Sequence, residues 1–242
     1  MFVLDSTRER GILLVFLATF PLLALPAFAQ QDYVSQFDAY VGYAFLDSPA
    51  ISLFENGFAT QFGFRAKTWL SAGFDYSITT GNGTITPNLL PTALQQTLAA
   101  QLGQLAAAGL LPPGYALVVP IHSRTQTFAA GPQLAYRHFK HETLFLRPVF
   151  AGAIYERATP QPTDPIAATI AAQLAPSGVK TDTTWFVGVG GGFDILPTRH
   201  FALRTQTDVV WDHLFSDLLR NGRWTVRFSV GPAFNFGKNI QH

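Results

Sequence analysis

The stretch WTVRFSVGPAFNF, Trp224 to Phe236, alternates an apolar row with a polar one. Trp224, Val226, Phe228, Val230, Phe234 and Phe236 share one parity with Pro232, while Thr225, Arg227, Ser229, Gly231, Ala233 and Asn235 share the other. Side chains of a β-strand alternate faces with period two, so this is a strand with one greasy face and one face of polar and small residues. Strands of soluble proteins run about 5 to 6 residues, whereas a strand that crosses a bilayer at a tilt needs roughly 9 to 11. This one is long enough to cross.

Working back from it, seven further segments carry the same period: Phe37 to Phe45, Phe58 to Arg65, Leu70 to Thr79, Thr127 to Arg137, Leu144 to Tyr155, Thr184 to Ile195 and Phe201 to Asp212. The cleanest is the third, where Leu70, Ala72, Phe74, Tyr76 and Ile78 oppose Ser71, Gly73, Asp75, Ser77 and Thr79. In the fifth, Leu144, Leu146, Phe150 and Ile154 fall on the apolar parity and Arg147, Ala151 and Tyr155 on the other. Pro132, Pro148 and Pro232 lie inside strands and remove ladder donors, which predicts bulges or local irregularity there.

The connections alternate as well. Short turns are expected around Lys67 to Trp69, His138 to Glu142 and Leu196 to His200. Longer loops are expected at Leu46 to Gly57, Thr80 to Arg124, Glu156 to Thr183 and His213 to Arg223. Eight strands with short turns on one side and long loops on the other predict an all-β fold, an antiparallel up-and-down transmembrane β-barrel with extracellular loops. Two of those loops carry helical spacing, Leu94, Leu98, Leu102 and Leu105 in one and Ile166, Ile170 and Leu174 after Asp164-Pro165 in the other. They share a near-repeat, TLAAQL from Thr97 and TIAAQL from Thr169, and are expected to pack on each other above the barrel mouth.

Composition agrees with a surface that water does not wholly cover. Of 242 residues, 13% are charged against 48% hydrophobic, where a soluble domain carries about 25% charge. The formal net charge of +1 shows no footprint for nucleic acid. There is no cysteine, which excludes a disulfide framework, a thiolate metal site and a Cys nucleophile. Arg8 and Arg10, the apolar run from Gly11 to Leu25, and Ala27-Phe28-Ala29 read as a secretory signal peptide over residues 1–29, leaving 30–242 as one barrel domain.

The polar parity holds Asp38, Arg65, Asp75, Arg147, Asp194, Arg204, Asp208 and Arg227. Counted from the ends of the last loop, Asp208 falls opposite Arg227. Charges of both signs inside a barrel must pair, and an interior of eight strands is narrow enough for side chains to fill. A salt-bridged plug is expected, with an ion pathway as the alternative. Trp185, Trp211 and Trp224 sit on the apolar parity at the long-loop ends of their strands and Trp69 beside a short turn, which places an aromatic belt at each membrane interface. For catalysis the candidates are His122-Ser123 and the group His213, Ser216 and Asp217, in no arrangement that sequence spacing ties together. No phosphate-binding loop, metal-ligand spacing or cofactor motif is present.

The signal peptide, eight amphipathic strands, short turns and aromatic closing strand with Gly231-Pro232 resemble the small bacterial outer-membrane β-barrels, similar to the membrane domain of outer membrane protein A. That resemblance implies a bacterial outer-membrane location, lipids as partners, insertion by the barrel-assembly machinery and no enzymatic activity. It also implies a structural role or contact with a surface ligand through the extracellular loops. A narrow porin-like channel is the alternative and a lipid-modifying hydrolase a third reading.

Overall fold

The computed structural model describes residues 31–219 and 222–241. The expected signal peptide lies outside them. Eight strands follow in chain order: β1 Ser35–Ser48, β2 Leu53–Arg65, β3 Leu70–Ile85, β4 Val119–Tyr136, β5 Glu142–Pro160, β6 Lys180–Ile195, β7 Phe201–Asp212 and β8 Arg223–Asn239. Each pairs antiparallel with the next and β8 closes on β1, so the sheet has no free edge. Two helices stand in loops, α1 Thr92–Ala107 and α2 Pro165–Leu174.

The register sets the tilt. Ala39 faces Phe62, and the row continues through Phe74, Ala130, Ala151, Val187 and Trp211 to Trp224. Val226 faces Asp47, so Trp224, two residues earlier, is level with position 49, ten residues beyond Ala39. A stagger of that size in an eight-stranded barrel goes with strands inclined at about 35–45° to the axis.

Side chains divide by parity. Outward lie Phe74, Phe128, Phe58, Val189 and Phe234, all exposed in the isolated chain, while Asp38, Gln61, Ser77, Thr127 and Arg204 are buried inside. An apolar exterior of this extent is stable only against lipid. Gly231 is among the positions where a close approach demands glycine: a Cβ there would stand 2.2 Å from the Val41 carbonyl oxygen on the adjacent strand β1.

Three expectations are corrected. The connection between β1 and β2 is not a long loop: both strands continue to Ser48 and from Leu53, joined by a short 3-10 turn at Pro49–Ile51. Alternation persists there, but Leu46 and Leu53 point inward, so the polar-in pattern that marks the barrel lower down is replaced by apolar residues near the mouth. In β5 the ladder to β6 shifts between Arg147 and Phe150, across Pro148. The extra residue reverses the parity, so Phe150 and Ile154 are buried inside with Glu156, and Ala151 faces out. The β4–β5 ladder shifts across the same extra residue, five β5 steps from Leu146 to Ala151 facing four from Ala130 to Leu134, while the β3–β4 register runs unbroken through Pro132, so Pro132 causes no bulge. Pro232 causes none: the register on either side, Tyr40 with Ala233 and Tyr43 with Val230, is the same.

Candidate functional site

The interior is built in tiers. Nearest the short turns, Arg204 lies between two carboxylates, its Nε donating to Asp194 Oδ1 at 2.7 Å and its Nη2 to Asp38 Oδ2 at 2.6 Å. Its Nη1 donates to Gln61 Oε1 at 2.5 Å. Arg65 is 3.5 Å from Asp38 and donates to Asn235 Oδ1 at 2.9 Å. The bottom is covered by the segment before β1: Gln31 Nε2 donates to the Glu142 carbonyl and to Thr143 Oγ1, each at 2.9 Å.

One level up, Asp208 receives Arg227 Nη2 at 2.5 Å, Gln206 Nε2 at 2.8 Å and Arg147 Nη1 at 3.2 Å. Arg147 also pairs with Asp75. The ladder sets Asp208 opposite Arg227, and the remaining Arg227 donor reaches Thr127 Oγ1 at 3.2 Å and Ser77 Oγ at 3.3 Å. The Arg147 guanidinium lies 4.0 Å over the Phe150 ring, the first apolar layer above. All eight charges picked out by parity are therefore inside, four in each of two charge-balanced tiers.

A third tier near the mouth escaped sequence reading. Arg223 Nη2 stands 2.7 Å from Glu156 Oε2 and its Nε 3.4 Å from Asp212 Oδ2. Ser123 Oγ donates to Glu156 Oε1 at 2.9 Å. Glu55 is bound only by hydroxyls, Thr79 at 2.6 Å and Thr125 at 3.0 Å. Glu55, Glu156 and Arg223 fell in expected loops, and the reversal at Pro148 hid the inward parity of Glu156. The usable signal was continued alternation: Glu55 shares parity with Gln61 and Arg65.

Above this tier the mouth is capped by apolar side chains. Ile51, Leu53, Ile121, Leu214, Phe215 and Leu219 are buried together with Phe150 and Phe186. The two helices contribute to one apolar cluster, Leu98 from α1 and Ala167, Ile170 and Ala171 from α2, which Leu90, Leu117 and Val119 complete. An apolar cavity of about 80 Å³ remains between α2, the loop after β7 and the barrel, lined by Ile121, Leu174, Phe215 and Leu218 with Glu156 and Lys180 at its edge.

The tryptophans lie outside. Trp185 and Trp224 are each 61% exposed, and Trp211 meets Trp185 edge to face at 6.0 Å. Trp69, 51% exposed, stands at the opposite end under the Lys67 ammonium. The catalytic candidates do not converge. His122 points outward, held by Thr80 Oγ1 at 3.2 Å and Asn82 Oδ1 at 3.1 Å, whereas Ser123 points inward to Glu156. His213 packs on Trp211 at 4.3 Å, and Asp217 pairs with Lys180. Among the described residues no group of three or more His, Cys, Asp or Glu is placed to hold a metal ion.

A closed antiparallel barrel with an apolar wall, salt-bridged interior, short turns at one end and structured loops at the other has the architecture of the small transmembrane β-barrels. No protein-family model matches the chain, and no curated protein does. Among solved structures it is similar to the outer membrane protein OprG of Pseudomonas aeruginosa, at 11% identity over 86% of this chain and 99% of that one, TM-score 0.49. It is also similar to Ail, the attachment invasion locus protein of Yersinia pestis, at 10% identity over 84% and 99%, TM-score 0.46. A third is Neisserial surface protein A, at 13% identity over 83% and 96%, TM-score 0.45. At such identities and TM-scores the likeness says nothing about residues, loops or activity; the fold rests on the ladders themselves.

Proposed function

We propose that this protein is a non-conducting, non-catalytic barrel that anchors a structured extracellular crown in the outer membrane, where the crown makes structural or surface contacts. In this reading Asp38, Arg65, Asp75, Arg147, Asp194, Arg204, Asp208 and Arg227 form the plug. Trp185, Trp211 and Trp224 mark the outer headgroup level and Trp69 the inner one, and insertion is the work of the barrel-assembly machinery. The observation that carries it is the interior: two balanced ion-pair tiers, a third under the crown, and an apolar cap over all three. Each guanidinium of the two lower tiers is paired with a carboxylate, Arg65, Arg204 and Arg227 with one on an adjacent strand and Arg147 with Asp75 and Asp208 two strands to either side. A lipid hydrolase finds no support in His122 and Ser123, which face opposite sides of the wall.

The test is conductance across planar bilayers. The wild-type protein is expected to be silent, and so is the double variant Asp208→Ser with Arg227→Ser, because the lower tier, the mouth tier and the apolar cap stay in place. Discrete channels from the wild type would establish the porin-like alternative and end this proposal.

A further inference from the structure

On the outer wall, above the level of Trp185, two cations stand side by side. Arg124 on β4 is the direct ladder partner of Arg157 on β5, and both are exposed. Like charges directly opposite on a sheet repel and destabilise it. Among the described residues neither arginine has an ion-pair partner, since the carboxylates of these strands are elsewhere: Glu55 and Glu156 are buried on the inner face. Asp182 accepts the Phe215 backbone N–H instead. Around the pair the outward side chains are polar and include no carboxylate: Asn56, Thr80, Asn82, His122 and Thr159. The wall thus concentrates unpaired positive charge at one place.

Its height follows from register. Ala153 faces both Trp185 and Phe128, and Arg157 and Arg124 lie four residues beyond Ala153 and Phe128 toward the crown. Four residues rise about 13 Å along a strand and about 10 Å along an axis tilted as here, and the inclined ladder row descends about 3 Å per strand from β6 to β4, so the pair stands a few ångströms above Trp185. That lifts the guanidinium groups out of the apolar belt to the headgroup level. A groove of about 600 Å³ leads down from them, with Arg124, Arg157 and His122 at its polar end and Phe58 and Ile78 at its apolar end.

We propose that this groove binds a phosphorylated lipid of the outer leaflet, its phosphate clamped between Arg124 and Arg157 and its acyl chain on Phe58 and Ile78. Guanidinium groups present planar forks that match phosphate oxygens, and a shared anion turns the repulsion between them into attraction. The anion arrives from the membrane because the groove is continuous with the lipid-facing wall. The inference rests on that wall alone and stands whether or not the interior conducts.

The full chain, folded in phosphatidylcholine vesicles, is titrated with dimyristoyl phosphatidic acid, with the matching diacylglycerol and with inorganic phosphate. Phosphatidic acid is expected to bind and diacylglycerol not to. The double variant R124Q/R157Q should weaken phosphatidic acid binding by about tenfold or more, as loss of charged hydrogen bonds requires. Lys67→Gln, the same loss of charge at the opposite rim, should leave it unchanged. In plain phosphatidylcholine the single variant R124Q should raise the unfolding midpoint, since it relieves repulsion, and phosphatidic acid should raise the wild-type midpoint more than the variant's. Equal binding by wild type and double variant overturns the proposal. So does full displacement of the lipid by inorganic phosphate at equal concentration, which would make the site one for the free anion.

Discussion

Arg223 and Glu55 make the sharpest contrast among single side chains. In the mouth tier three carboxylates, Glu55, Glu156 and Asp212, face the one guanidinium of Arg223, whereas the two lower tiers balance. Removing Arg223 leaves buried acids without a counter-charge, and losing one partner of a buried pair costs about 3–5 kcal/mol. Arg223→Met is therefore expected to lower the urea unfolding free energy by that amount in lipid vesicles. Glu55→Gln acts in the opposite direction, because its partners are hydroxyls that can bond an amide, and the change removes surplus negative charge. Its unfolding midpoint is expected to rise. A fall in both variants would show that the tier depends on Glu55 as an ion.

Among the elements, α2 is the one whose start is set by a single group. Asp164 accepts the N–H groups of Ile166 at 2.9 Å and Ala167 at 2.8 Å, Pro165 takes the first helical position, and Tyr115 Oη donates to the same carboxylate oxygen at 3.0 Å. The backbone bond from Ala167, aided by Tyr115 and Ile166, holds the Asp164 carboxyl below its ordinary value of 3.8. A depressed value means the ionised cap stabilises the crown above that ordinary value and releases it as pH falls through the lowered one. Limited proteolysis of the loop 161–179 should accelerate below about pH 3.8 in the wild type. Asp164→Ala should cleave quickly at every pH, and Asp164→Asn, whose amide oxygen still caps but does not titrate, should lose the pH step. The β5 strand shows the converse case, where one residue inserted at Pro148 decides which face of the element is wet.

For the molecule as a whole, closure is the governing property. Every strand has two neighbours, and a sheet without edges resists detergent because its backbone groups are already paired. The unboiled, detergent-folded protein is expected to migrate differently from the boiled sample on a gel and to give β-type circular dichroism. Coincident bands from a protein soluble without detergent would contradict a membrane barrel.

Strand number, direction and the inner or outer assignment of most side chains were legible from residues alone, because a bilayer forces period-two alternation onto every crossing strand. The eight interior charges were legible for the same reason, each lying on the polar parity of its strand. The mouth was not. There Leu46, Leu53, Phe150 and Ile154 turn inward to seal the crown, so the apolar parity no longer means lipid. Glu55, Glu156 and Arg223 are identified as partners only once the stagger and the shift at Pro148 bring β2, β5 and β8 to one level. The pairing of Arg124 with Arg157 depends on the same register, since nothing local couples residues on neighbouring strands. Local alternation is a property of each strand, whereas stagger is a property of the closed sheet, and it is the stagger that places charges from different strands together.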